Sequence, residues 1–193
     1  MMSMKLREFT PARRANPRKY ADYHAYKDSL REDFHCRCGY CDDQDHFSEV
    51  PYQIDHFVPK AVLNTIAEND YGNLVYSCRR CNRAKWDKWP TEDEHKHNDG
   101  REGFIDPCNP SYDKQFERNN RGEIIPVTVL GNWMWKELDL GNPAHRIIWT
   151  LSQIRKELDY VRKLPEAAAD AKVKALCNMY FDLEDQLRGA PHF

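Results

Sequence analysis

The chain has 193 residues, 40% of them apolar, with 29 Lys and Arg against 31 Asp and Glu for a formal charge of -2. That length suits one compact unit with a helical extension rather than two large domains, and a near-neutral total excludes a protein that coats nucleic acid by bulk charge. No apolar run approaches the roughly 20 residues of a membrane span, and the opening stretch MMSMKLREFT lacks a secretion signal's apolar core, so a cytoplasmic protein without membrane contact is expected.

Residues 1–17, with Pro11 and Pro17 and little periodicity, predict an extended arm. Its cations (Lys5, Arg7, Arg13, Arg14, and then Arg18 and Lys19) form a first basic patch of the kind a phosphate backbone feels. From Arg18 to Phe34 apolar and aromatic positions recur every three or four residues, which predicts an amphipathic helix. VPYQIDHF, residues 50–57, has strand character, and its expected partner is the run Asn73 to Tyr76. Between them KAVLNTIAEND suggests a short helix, and NRAKWDKW after Cys81 suggests another that Pro90 ends. TEDEHKHNDGREG is polar and aperiodic and predicts a solvated loop, so His95 and His97 are not read as a second metal site. GFIDPCNP and GEIIPVTVLGN look like short strands and turns. Asn142 and Pro143 then make an N-cap and first helical residue, and Ile147, Ile148, Leu151, Ile154, Leu158 and Val161 form one stripe. A second helix restarts at Pro165, carries Val173, Leu176, Tyr180, Leu183 and Leu187, and stops near Gly189. The two predict a helical hairpin packed on the core, with a partner-binding role as the alternative.

Seven cysteines are many for a reducing compartment, and four fall into two Cys-x-x-Cys pairs, Cys38/Cys41 and Cys78/Cys81. Such pairs, separated by a long insertion, can place four thiolates around one tetrahedral Zn²⁺. Gly39 suits a tight knuckle because glycine accepts backbone angles that other residues resist. Cys36 competes with Cys38 as a ligand, but Cys-x-Cys fits a knuckle less well; Cys108 and Cys177 read as ordinary buried thiols. Four thiolates leave no open position, so the ion is expected to be structural, and any chemistry must come from elsewhere.

Three further segments bear on that chemistry: Ile54-Asp55-His56, Tyr71-Gly72-Asn73-Leu74, and Cys78-Arg79-Arg80-Cys81-Asn82-Arg83-Ala84-Lys85. Over about residues 36–90 their order, spacing and interleaving with the cysteine pairs resemble the HNH endonuclease family in its cysteine-bearing form. The resemblance implies an α+β fold with a ββα-metal core, here stapled by a four-cysteine zinc site. It implies His56 as general base, Asp55 and Asn82 as ligands of a catalytic divalent ion, and Asn73 as the residue holding the His-bearing loop. Many members have histidine at the place of Asn82; an amide oxygen beside a carboxylate favours Mg²⁺, or Mn²⁺ in the test tube. Small members with such helical extensions are similar to effector subunits of bacterial anti-phage systems.

The chemistry is coherent in its own terms, since phosphodiester hydrolysis needs a water made nucleophilic and relief for charge on the phosphoryl oxygens. A histidine with an ordinary pKa near about 6.5 can take that proton at neutral pH. Asp55 and His56 are adjacent, so both reach one phosphate only where the strand bends, near Pro59. Lys85, three residues after Asn82, is a candidate phosphate contact with Arg79, Arg80, Arg83 and Lys88. Trp86 and Trp89 are read as packing on the core in preference to stacking on DNA. With no helix-turn-helix or zinc-finger reading element, weak intrinsic sequence preference is expected. The chain then divides into a basic arm and helix (1–35), the nuclease core (36–90), a loop and short-strand extension (91–141) and a helical hairpin (142–193) that offers a surface to a protein partner or a second copy. Competing with a DNA endonuclease is a non-catalytic zinc module that binds nucleic acid or protein, and also a nuclease that waits for a partner.

Overall fold

The computed structural model of the protein describes residues 4–48, 50–161, 163 and 166–189. In chain order its elements are β1 (Met4–Lys5), α1 (Lys27–Asp33), β2 (Gln53–His56), β3 (Leu74–Ser77) and α2 (Arg79–Lys85), then β4 (Phe116–Arg118), β5 (Ile124–Pro126), α3 (Val129–Glu137), α4 (Pro143–Val161) and α5 (Glu166–Gly189). The fold is α+β. Strands β2 and β3 pair antiparallel, Gln53 opposite Ser77 and His56 opposite Leu74, and α2 follows at once, giving a ββα unit. A second antiparallel sheet, ordered β1-β4-β5, lies beside it and shares its core of Leu30, Phe34, Leu74, Phe104, Phe116 and Met134. Among the described residues no helix is long and apolar enough to cross a membrane.

Several segments differ from what their sequence predicts. The helix expected from Arg18 begins only at Tyr23, as a short 3-10 turn leading into α1, because the Asp22 side chain accepts the His24 N–H and caps the chain there. The helix after the second cysteine pair starts earlier and ends earlier: Cys78 is its N-cap, and Trp86 takes φ 50° and terminates it four residues before Pro90. Trp89 is buried, whereas Trp86 is 69% exposed and does not pack on the core. Helix α3 was not legible as one. Val129, Gly131 and Asn132 are poor helix formers, and its start depends on Thr128, whose hydroxyl accepts the Gly131 N–H at 2.8 Å.

The helix expected over residues 60–70 does not form, and only a 3-10 turn, Tyr71–Asn73, precedes β3. The backbone N–H groups of Asn64, Thr65 and Ile66 instead donate to the Glu94 carboxylate, which also takes the Thr65 hydroxyl. Glu94 is buried, so the polar 91–103 loop is tied down at its centre, and His97 packs its ring on Phe57 and Trp89. Those hydrogen bonds hold the Glu94 carboxyl at about 2, below its ordinary 4.5. A depressed carboxyl stabilises the fold above its unfolded pKa and loses that contribution as pH falls through its folded one. Glu94→Gln is therefore expected to lower the melting temperature at pH 7 and to approach the parent's as pH falls from about 4.5 toward 2. Melting curves across that range check it, and a deficit independent of pH would mean that the charge contributes nothing.

The N-terminal arm is extended, as its prolines predict, but its arginines are structural. Arg7 is buried, pairs with Asp113 at 2.6 Å and donates to the carbonyls of Gly39 and Pro107. Arg13 reaches the Leu74 carbonyl and Asp106, and Arg14 reaches Asp33 and Glu32. Half of the first basic patch is thereby consumed by the fold, while Lys5, Arg18 and Lys19 stay exposed.

At the other end, Asn142 caps α4 through the Ala144 N–H, and the α4 stripe is buried except for half-buried Leu158. Helix α5 packs along α4 with its five stripe residues half-buried. The restart assigned to Pro165 lies outside the described residues.

Candidate active site

The four cysteines of the two pairs converge. All are buried, and their Sγ atoms lie within 4.8 Å of one another, with Cys41 and Cys78 at 3.8 Å. A regular tetrahedron of sulfurs about 2.3 Å from a zinc ion has edges of about 3.8 Å, so the donor set fits a structural zinc. Cys36 is not part of this group. Gly39 is required for space and not for backbone angle: a Cβ there would stand 2.7 Å from the Phe34 ring and 2.8 Å from Val75, while Asp42, at φ 67°, makes the left-handed turn of the knuckle.

The knuckles are braced from outside. Fully buried Arg118 donates to the Cys41 carbonyl at 2.9 Å and also to the carbonyls of Leu6 and Gly122. The Asp43 carbonyl accepts the Cys38 N–H and the Tyr52 hydroxyl, and the Asp43 carboxylate takes His145 Nδ1 of α4 at 2.7 Å. The Cys78 sulfur accepts the Cys81 N–H, which fixes the first turn of α2 and with it Asn82.

Alternation along β2 sends Asp55 and His56 to opposite sides. Asp55 faces inward: its carboxylate accepts the Tyr40 hydroxyl at 2.5 Å and pairs with Lys85 at 3.1 Å. Burial pushes this carboxyl above the ordinary carboxylate range, while Lys85 and the Tyr40 hydroxyl pull it down. Burial and Asp55 together hold Tyr40 well above the ordinary phenol range, so it remains a donor. Lys85 is fully buried and also donates to the His56 carbonyl at 2.8 Å. Its ammonium is therefore inside the hairpin and not at a phosphate.

His56 is the last residue of β2, and the bend follows it at Phe57 and Val58. Its Nε2 lies 2.9 Å from the Glu68 carbonyl, and the Tyr23 ring meets it edge-on at 4.7 Å. A carbonyl only accepts, so Nε2 carries the proton and a neutral ring keeps its lone pair on Nδ1. Burial lowers the His56 pKa from 6.5 against the Glu68 hydrogen bond, and Lys60 lowers it further. At neutral pH the ring is a base with one acceptor nitrogen. Asn73 clamps the segment beyond it, its Oδ1 accepting the Val58 N–H at 2.8 Å and its Nδ2 donating to the Val58 carbonyl at 3.0 Å.

Asn82, half-buried, donates Nδ2 to Gln53 at 2.8 Å, which puts it on the face of β2 that carries Asp55. One face of the hairpin thus gathers Gln53, Asp55, Lys85 and Asn82, with His56 at the strand end. Of the candidate phosphate contacts, Lys88 pairs with Glu137 at 2.7 Å, while Arg79 and Arg83 are exposed on α2. Arg80 is half-buried beside α5 and lines a cavity of about 270 Å³ with Tyr180 and Leu187, with its Nε unpartnered among the described residues. Tyr40, Gln53 and the Glu68 carbonyl were not foreseen. Tyr40 occupies a knuckle position where many residues fit, and a main-chain acceptor leaves no mark in a sequence.

Residues 38–88 match the family model described as HNH endonuclease. Among curated proteins the chain is 28% identical over 127 residues to Septu protein PtuB of Bacillus mycoides (strain KBAB4), a match covering 53% of this chain and 43% of that protein. The chain thus spans less than half the length of that relative. No solved structure gives a significant match.

Proposed function

We propose, from the match of residues 38–88 to the HNH endonuclease family model, that the protein hydrolyses phosphodiester bonds in DNA, with His56 as general base beside one divalent ion. The observation that carries this reading is the Glu68 carbonyl on His56 Nε2, which leaves Nδ1 to take a proton from water. Asn73 supports it by fixing Val58, two residues beyond the base. Asp55 and Asn82 would hold Mg²⁺ or Mn²⁺, whose chemistry when bound is to relieve charge on the phosphoryl and leaving oxygens. A carboxylate and an amide oxygen are the hard donors such ions favour, and the Asn82 Nδ2 bond to Gln53 leaves its amide oxygen for that use. Zn²⁺ in the four-cysteine site would hold α2, and hence Asn82, in place.

The likeness to Septu protein PtuB supports an anti-phage setting, in which α4 and α5 dock a protein partner. One observation favours the competing reading of a module that is silent alone: the Asp55 carboxylate is already engaged by Lys85 and Tyr40. Incubating the zinc-loaded protein with supercoiled plasmid and Mg²⁺ or Mn²⁺, beside a folded His56→Ala variant, separates the two. Nicking by the parent, reduced about 10²- to 10⁴-fold in the variant, is expected. A parent inert with both ions would sink the stand-alone nuclease, and equal nicking by the variant would remove His56 as base.

A further inference from the structure

Trp86 is placed where neither packing nor backbone preference accounts for it. It is 69% exposed, and among the described residues its ring meets no other ring and no cation. Its backbone stands at φ 50°, ψ -130°, a conformation natural to glycine and strained for a bulky side chain. Its N–H nonetheless donates to the Asn82 carbonyl at 2.9 Å, so the strained residue sits one helical turn from a candidate metal ligand. Arg83 and Arg79 precede it by three and seven residues on the exposed side of α2. Unlike Lys88, Arg7, Arg13 and Arg14, neither of these arginines makes an ion pair among the described residues. The helix therefore displays two exposed guanidinium groups without an ion pair, Arg79 bordering the cavity beside α5, and ends in an open indole one turn from Asn82.

We propose that Trp86 stacks on an unpaired base of a DNA strand whose phosphates lie on Arg79 and Arg83, so that the substrate carries a single-stranded stretch at the point of cleavage. The inference rests on the nuclease reading and names its substrate class. An indole stacks only on a base whose face is open, and inside a duplex both faces are covered by neighbouring bases; an unpaired strand offers an open face at every nucleotide. The two guanidinium groups supply the charge complementarity that a partner protein's apolar surface would not need. Stacking also gives the backbone strain a use, because the left-handed turn is what ends the helix and swings the ring outward.

The test uses the full-length zinc-loaded protein carrying His56→Ala, so that binding is read without cleavage. Fluorescence anisotropy compares a labelled single-stranded oligonucleotide with the blunt duplex of the same sequence, for Trp86 and for its Trp86→Gly and Trp86→Phe variants. Trp86→Gly is expected to weaken single-strand binding about tenfold, Trp86→Phe much less, with duplex affinity nearly unchanged. Glycine relieves the strain, so the melting temperature of Trp86→Gly should equal or exceed the parent's, an outcome a packing role would not give. Unchanged single-strand affinity, or equal losses on both DNAs, overturns the proposal, and the former is the result expected if Trp86 serves a protein interface. Plasmid nicking by the protein with His56 intact is read separately. A nicking enzyme with Trp86-independent binding sinks this inference alone, whereas an inert one that still needs Trp86 for the single strand sinks the stand-alone nuclease and leaves the stacking on an unpaired base.

Discussion

Lys85→Ala is expected to cost the fold about 3–5 kcal/mol, because it removes one partner of a buried ion pair and leaves the other without compensation. The side chains of Lys85 and Asp55 are 0% and 7% exposed, so water cannot replace the lost ammonium. The His56 carbonyl loses its donor at the same time, and the end of β2 loosens at His56 itself. The deficit has a pH signature. Without Lys85 the Asp55 carboxyl rises further above its unfolded pKa, and a raised carboxyl lowers stability as pH climbs from the unfolded value to the folded one. The variant should therefore come closest to the parent near pH 4 and fall furthest behind above neutrality. Adding Asp55→Asn removes the orphaned charge and is expected to recover much of the loss, giving a coupling energy of about 2 kcal/mol or more in a double-mutant cycle. Urea unfolding of the four proteins measures it; a loss under about 1 kcal/mol for Lys85→Ala, or strict additivity, would show that the pair does not hold the hairpin.

Stripping the zinc, or replacing Cys78 by serine, is expected to abolish cooperative folding. Structural zinc sites bind with about 10–16 kcal/mol of apparent free energy, comparable to the whole stability of a domain of this size. Here the effect reaches beyond the knuckles, because the four cysteines belong to the same buried cluster as Phe34, Val75 and Tyr112. Four buried thiols without an ion would exchange that bond for desolvated sulfurs packed against one another. Near-ultraviolet circular dichroism should collapse and the melting transition broaden as metal content falls to zero. A metal-free protein with an unchanged near-ultraviolet spectrum and a melting temperature within a few degrees of the parent's would show that the cysteines pack without an ion.

What could be read from the sequence was what is written in side chains at short spacing. The two cysteine pairs, the β2 and β3 strands and the α4 stripe depend on local pattern, and they stand within a few residues of their expected places. Asn73 is tied to the loop beyond His56 only through the family resemblance, and its two hydrogen bonds to Val58 lie on that loop. Three kinds of feature escaped. The Glu68 carbonyl that sets the His56 tautomer is a backbone atom with no residue signature. Glu94 lies in a stretch whose composition reads as solvent-exposed, yet its carboxylate replaces a helix that the 60–70 segment would otherwise need. Lys85, at the spacing of a phosphate contact, turns inward because Asp55 is buried and requires a cation, and burial is not visible at i, i+3 spacing.

The bracing of the knuckles also sets an order of events in time. Arg118 joins Leu6 to Cys41, Arg7 joins Asp113, and Asp43 meets His145, pairings separated by 112, 77, 106 and 102 positions. A chain leaving the ribosome has extruded every residue of the 38–88 segment long before it has extruded Arg118 or His145. Contacts so distant along the chain close late and slowly. The hairpin and its histidine are thus present in the nascent polypeptide without the supports that hold them, and the ββα unit is braced only once Arg118 and His145 have emerged.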